Sequence, residues 1–344
     1  MEPNPILALL VAAVLVVIGV LVVHPRRGAL ARIRRLRLRE EHIAAEDVLK
    51  ILFTRTETGE PTSLPDLIAL QREDGVRGSR AIERLRRDGL VHIDQEGVEL
   101  TRRGIAVASD LVRAHRLWEL HLAEETGYDQ REWHGRADRM EHRLEGESIE
   151  RLSRRLGSPV LDPDGDPIPG AAGTPVPSAE GKPIESVEVG STYRITHLED
   201  EPQDLYADLV DRGLYFGMRF RLLQRDGGGF ELENDGRRIE IPRVLAAGIL
   251  VEPCDELEEG AVRLADVAVG ARAQVLGITT QGRGAERQRF LDLGFVPGAT
   301  VDVAFRSAGN DPTAYRVKSS LVALRREQAA KIRVRPVAAT GGVV

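Results

Sequence analysis

The chain has 344 residues, of which 42% are hydrophobic and 30% charged, so it reads as roughly two to four folded, highly charged domains rather than a disordered polymer. The net charge of −6 is modest and unevenly spread, and neither requires nor excludes a nucleic-acid partner. A single cysteine, Cys254, excludes an internal disulfide framework and a cysteine-built zinc site, and fits a reducing compartment.

Residues 5–23 form an unbroken apolar run, PILALLVAAVLVVIGVLVV. At about 1.5 Å per residue such a helix approaches the roughly 30 Å hydrocarbon core of a bilayer. A core helix would carry a polar stripe, and a signal peptide would carry a basic start; this run has neither. Arg26, Arg27, Arg32, Arg34, Arg35, Arg37 and Arg39 follow, so residues 24–43 are expected as a basic juxtamembrane helix. The positive-inside rule then places the rest of the chain in the cytoplasm, tied to the cytoplasmic membrane by a single pass and touching lipid through residues 5–23.

Residues 44–108 read as a winged helix-turn-helix. Val48, Leu49, Leu52 and Phe53 repeat at helical spacing, and Thr62 or Ser63 caps a short helix carrying Leu64, Leu67, Ile68 and Leu70. Gly75 is expected as a tight turn. A basic helix follows, with Val76, Ala81, Ile82 and Leu85 on one face and Arg77, Ser79, Arg80, Arg84, Arg86 and Arg87 over much of the rest. Two short strands around Gln95-Glu96-Gly97 make the wing. A winged helix that only binds protein would show the same order of elements.

Residues 109–161 hold four of the eight histidines. His115 and Glu119 are four apart. His134, Asp138, Glu141 and His142 fall at i, i+4, i+7 and i+8 of a helix beginning at Trp133, within about one quadrant of its circumference. Two such clusters point to a divalent metal; the plainer reading is a solvated helix face. Residues 162–183, rich in proline and glycine, read as an extended tether.

The succession of a winged helix, RAHRLWELHL, WHGRADRMEHRLE and DPDGDPIPG resembles the iron- and manganese-dependent repressors of the DtxR/MntR type over residues 44–253. The resemblance implies operator DNA as partner, a homodimer, and Mn²⁺ or Fe²⁺ as cofactor; seven candidate ligands are more than one ion needs and leave room for two ions per subunit. Its metal ligands carry over to His115, Glu119, His134, Asp138, Glu141 and His142, and its first-helix ligand to Asp47. Asp138 stands where the iron branch has sulfur and the manganese branch a glutamate, which leaves an oxygen and nitrogen set suited to these hard ions. Lys50 stands where the manganese branch has a further acid. The resemblance also implies DNA contact by Val76, Arg77, Ser79 and Arg80, and Thr62 and Ser63 join these candidates. A metal joining Asp47 to the later ligands would hold the DNA-binding helices in one placement.

The rest of the chain is an internal repeat of about eighty residues. Val187–Gly190 recurs at 267–270, residues 211–217 at 292–298, and residues 246–253 at 329–336. Residues 184–254 and 260–337 are each expected as a small β-barrel with one or two short helices, with strands such as 300–305 and 315–317. The second copy, with RQRFLDLGFVPG, NDP and LRREQA, is similar to the FeoA family of partner-binding domains associated with ferrous-iron uptake. The first resembles the third domain of the metal repressors, which in some members lends an acid and a glutamine to a metal. The stretch Glu201-Pro202-Gln203-Asp204 is out of register for that role, so Glu201, Gln203 and Asp204 are not assigned as ligands.

The expected fold is thus a mainly α winged helix-turn-helix and helical dimerisation domain, then two SH3-like small β-barrels, behind one N-terminal transmembrane helix. The expected function is metal-dependent DNA binding in metal homeostasis. The alternative is a membrane-tethered interaction module acting on a ferrous iron transporter. No nucleophile and base stand together, so an enzyme is not expected.

Overall fold

The computed structural model describes residues 10, 21–22, 24, 28–58, 62–63, 67, 75–94, 97–170, 181–254 and 260–337. The expected anchor, residues 5–23, lies outside the described residues except for Leu10, Leu21 and Val22. Among the described residues no helix is long and apolar enough to cross a membrane. Two compact units meet in sequence between Leu111 and Val112.

In the first unit, α1 (Ala29–Thr58) is a single helix of 30 residues. It contains neither proline nor glycine, so nothing interrupts it at residue 43. The end of the expected juxtamembrane helix and the first apolar-periodic residues of the winged helix thus share one element. Ala45, Val48, Leu49, Leu52 and Phe53 form its buried stripe at 3.6-residue spacing. α2 (Gly75–Arg87) packs on α1 and buries Ala81, Ile82 and Leu85. Gly75, expected as a turn, is the first helical residue. The hairpin of β1 (Val91–Ile93) and β2 (Val98–Leu100) pairs Val91 with Leu100. Gly97 has φ +151°, and a Cβ there would collide with the Thr62 carbonyl, so the wing closes only with glycine at this position.

α3 (Arg102–Glu125) runs on into the second unit. α4 (Trp133–Glu141) and α5 (Gly146–Arg155) follow. Ala114, Leu117, Ile149, Leu152 and Ile168 share one core, so the proline-rich stretch is not a tether from its start. Its first residues are folded: Asp162 accepts the backbone N–H groups of Asp164, Gly165 and Asp166 at 2.8–2.9 Å. Arg113 donates to the Pro169 carbonyl at 2.6 Å and Arg116 to that of Pro167 at 2.5 Å. Prolines lack N–H groups but keep carbonyls, and two buried arginines of α3 use them. Residues 171–180 of the expected tether are outside the described residues.

The two sheet domains repeat each other strand for strand. The first contains β3 (Lys182–Pro183), β4 (Thr192–Leu198), α6 (Gln203–Asp211), β5 (Arg219–Arg225), β6 (Gly229–Asn234), β7 (Arg237–Pro242), α7 (Arg243–Ala246) and β8 (Ile249–Pro253). The second contains β9 (Val262–Arg263), β10 (Arg272–Ile278), α8 (Gly284–Asp292), β11 (Thr300–Arg306), β12 (Thr313–Val317), β13 (Ser320–Leu324), α9 (Arg326–Ala329) and β14 (Ile332–Val337). The strand orders, β3-β8-β4-β5-β6-β7 and β9-β14-β10-β11-β12-β13, are the same path through six antiparallel strands. Even the register shifts correspond, at Ile195/His197 and Val275/Gly277, and at Leu222/Gln224 and Val303/Phe305. Each domain has its own core, around Ile195, Phe220 and Leu232 in the first and Val275, Phe290 and Phe295 in the second.

Candidate metal centre

The site is built in the second unit from α3, α4 and the loop after β4. His115 and Glu119 lie one turn apart on α3 and both are buried. The apolar face of α3 holds Ala114 and Leu117 in the core, which turns this polar pair toward α4. α4 places His134 and Glu141, both buried, on its inward side with Ala137. Asp138, with a side chain 42% exposed, lies at their margin.

Two groups of ligand-type atoms lie wholly within the second unit, each converging within 4.8 Å, and they share His115. The first is His115, Glu119, His134 and Asp200. A Glu119 carboxylate oxygen lies 3.1 Å from His115 Nε2 and 3.2 Å from His134 Nδ1, while those two nitrogens face each other at 3.3 Å. Asp200 comes within 2.6 Å of the same His134 nitrogen. The second group is His115, Asp138 and Glu141, with His115 Nδ1 2.5 Å from Glu141 and 3.4 Å from Asp138. The two faces of one imidazole thus look into two neighbouring donor sets. His142 lies beside Glu141 at 3.7 Å.

The electrostatics couple the buried acids to the imidazoles beside them. Burial alone would raise the Glu119 pKa, but His115 and His134 outweigh it and hold this carboxyl far below the usual range. Burial alone would lower the His134 pKa, but hydrogen bonds to Asp200, Glu119 and Glu201 drive it strongly upward. Burial, and then the Glu119 charge, raise the Asp200 pKa. Buried acids facing each other require a compensating cation, supplied here by imidazolium. A divalent ion meets the same requirement. The donors are all nitrogen and oxygen, they come from three segments, and two imidazole nitrogens converge on one carboxylate oxygen; this arrangement fits Mn²⁺ or Fe²⁺.

Of the ligands expected from the sequence, His115, Glu119, His134, Asp138 and Glu141 are brought together in these two groups. Asp47, half-buried on α1, belongs to the first unit. The unassigned stretch needs correction. Glu201 reaches His134 Nε2 at 3.2 Å but is 68% exposed, whereas Asp200, one residue earlier and not singled out, is the deeper partner. Gln203 abuts Gly135, where a Cβ would lie 3.2 Å from its amide nitrogen. An acid and a glutamine three residues apart do therefore reach α4, starting from Asp200. Asp204 takes no place in either donor group.

For DNA contact, Ser79 and Arg80 are exposed on α2, while the side chains of Val76 and Arg77 are outside the described residues. Thr62 does not fit a DNA-facing role. It is 7% exposed, and its carbonyl accepts the Val98 N–H at 3.0 Å, tying the helical part to the wing. Ser63 is half-buried and its carbonyl accepts the Leu67 N–H at 3.1 Å.

A helical module carrying clustered metal-ligand side chains, joined to two small sheet domains, is the class that this fold and site define. Residues 101–170 match the model of the iron dependent repressor, metal binding and dimerisation domain. Residues 182–253 and 262–336 each match the FeoA domain, so both sheet domains are of this kind. The chain is 34% identical over 95 residues to the iron-dependent repressor IdeR of Mycobacterium tuberculosis, covering 27% of this chain and 41% of that protein. It is 41% identical over 73 residues to an Fe(2+) transport protein A/Fe(2+) transporter FeoB fusion protein of Porphyromonas gingivalis, covering 21% of this chain and 8% of that protein. A solved manganese-dependent transcriptional repressor in complex with manganese superposes with a TM-score of 0.54 at 29% identity, over 61% of this chain and all of that one. The chain thus spans less than half the length of either sequence relative. With these matches its resemblance to the iron- and manganese-dependent repressors, extended by FeoA domains, is established. That family is one of regulators rather than enzymes.

Proposed function

We propose that the chain is a metal-dependent DNA-binding regulator of metal homeostasis that acts as a homodimer on operator DNA. The observation that carries this is the pair of adjacent donor groups sharing His115. His115, Glu119, His134 and Asp200 would hold one Mn²⁺ or Fe²⁺ ion, and His115, Asp138 and Glu141 would contribute to a second. The bound ion supplies positive charge and bridges carboxylates that otherwise repel. The chain's own residues do the rest: α3 and α4 present the donors, Asp200 ties the first FeoA domain to them, and α2 offers Ser79 and Arg80 to the major groove. Asp47, the first-helix ligand that the resemblance implies, is the link from metal to DNA binding. The apolar run and the arginines after it favour a single-pass anchor at the cytoplasmic membrane.

Mobility shift of operator-bearing fragments by the full chain tests this reading. Mn²⁺ or Fe²⁺ is expected to raise affinity, and Arg80→Ala to weaken it by about 1–3 kcal/mol. Metal-independent binding, or none to any genomic fragment, would overturn it. A second reading is favoured by the two FeoA domains and by the likeness to a transporter fusion: metal binding would switch contact with a ferrous iron transporter. Metal-dependent capture of such a transporter, with no DNA binding, would establish that reading instead.

A further inference from the structure

The two FeoA repeats meet the helical module through the same loop, the one between the first long strand and its helix. In the first repeat this is the segment from Glu199 to Pro202, between β4 and α6, which sets Asp200 against His134. In the second it is the segment from Thr279 to Arg283, between β10 and α8. There the Arg283 guanidinium donates to the Pro163 carbonyl at 2.9 Å and to the Thr280 carbonyl at 2.7 Å, and lies 5.9 Å from the centre of the Trp133 ring. The Gly284 N–H, first in α8, donates to the Glu124 carboxylate at 2.8 Å, near the end of α3. Gly284 has φ +46°, and a Cβ there would collide with the Glu124 carbonyl.

This loop reaches both sides of the Asp200–His134 contact through their neighbours. Trp133 immediately precedes His134. Pro163 immediately precedes Asp164, whose carbonyl accepts the Leu198 N–H at 3.0 Å, two residues before Asp200. Gly165 lies so close to β4 that a Cβ would strike the Thr196 carbonyl. Arg283 therefore bears on the strand end that delivers Asp200 and on the helix start that delivers His134. A ligand on a loop is only as well placed as the groups behind it.

We infer that Arg283 and Gly284 of the second FeoA domain are positioning residues for the Asp200 side of the metal centre. This rests on the metal-binding reading above. The second FeoA domain is then part of the sensor, and not only a free partner-binding appendage.

The test is an electron paramagnetic resonance titration of the full chain with Mn²⁺, run for wild type, Asp200→Ala, Arg283→Ala, Arg283→Lys and Gly284→Ala. Wild type is expected to bind two ions. Arg283→Ala and Gly284→Ala should each weaken one ion, the one that Asp200→Ala weakens, by about tenfold or more and leave the other unchanged. Arg283→Lys, whose ammonium can still donate to Pro163, should restore part of the loss. Arg283→Ala should add little to Asp200→Ala, because the two act on one contact. Unchanged affinity for both ions in Arg283→Ala and Gly284→Ala, with a selective loss in Asp200→Ala, would overturn the inference and leave a mere interdomain staple. Equal loss of both ions would overturn it as general loosening. A wild type that binds no Mn²⁺ would sink the metal-binding reading and this inference with it.

Discussion

His115 is the residue on which the site turns, because its two ring nitrogens face different donor groups. Asp200 is the residue the sequence hid. Its neighbours spell an acid-rich loop in which Glu201, Gln203 and Asp204 offered equal claims, and only the end of β4 decides which acid faces inward. The spacing from Asp200 to Gln203 was the available signal. Asp200→Ala is expected to weaken one Mn²⁺ ion by more than about tenfold, checked by titration calorimetry. His197 gives a second expectation at this scale. Burial alone would lower its pKa, but the Asp166 carboxylate at 3.1 Å and that of Glu199 at 3.8 Å push it up to about 10 from 6.5. Its raised value means that its stabilisation is complete below about pH 6.5 and disappears as pH rises through about 10. Urea unfolding of wild type and His197→Gln should therefore differ most near pH 6 and converge near pH 10.

At the scale of elements, periodicity told most where one face is buried. α4 was legible as a helix with His134 and Glu141 on one side; Ala137 shares that buried side, while Asp138 lies at its margin. The proline-rich segment was misread because composition cannot show that Arg113 and Arg116 bind its carbonyls. That the basic stretch and α1's buried stripe share one helix was not legible either: a change from basic to apolar composition is not a change of backbone, and a helix without proline or glycine continues through it. The link between the two sheet domains was also invisible in sequence. Asp235, in the β6–β7 turn at φ +44°, accepts both of its contacts from Arg333 of β14 at 3.0 Å. Asp235→Asn keeps the shape and tolerates that backbone, but removes the charge opposite a largely buried guanidinium. A loss of about 2 kcal/mol in urea unfolding is expected.

On the scale of the whole molecule, the duplicated strand order shows that the repeats found in sequence are structural repeats, down to their register shifts. What the repeat signatures could not convey is that the same loop makes different contacts in each copy, setting an acid against His134 in one and an arginine against the Pro163 carbonyl in the other. The central claim is that one histidine serves two ions. It is tested most directly by counting Mn²⁺ bound to the full chain by electron paramagnetic resonance, for wild type and for His115→Ala. The account predicts two ions per chain in the wild type and loss of both from the single substitution. Retention of either ion at wild-type affinity after His115→Ala would contradict it.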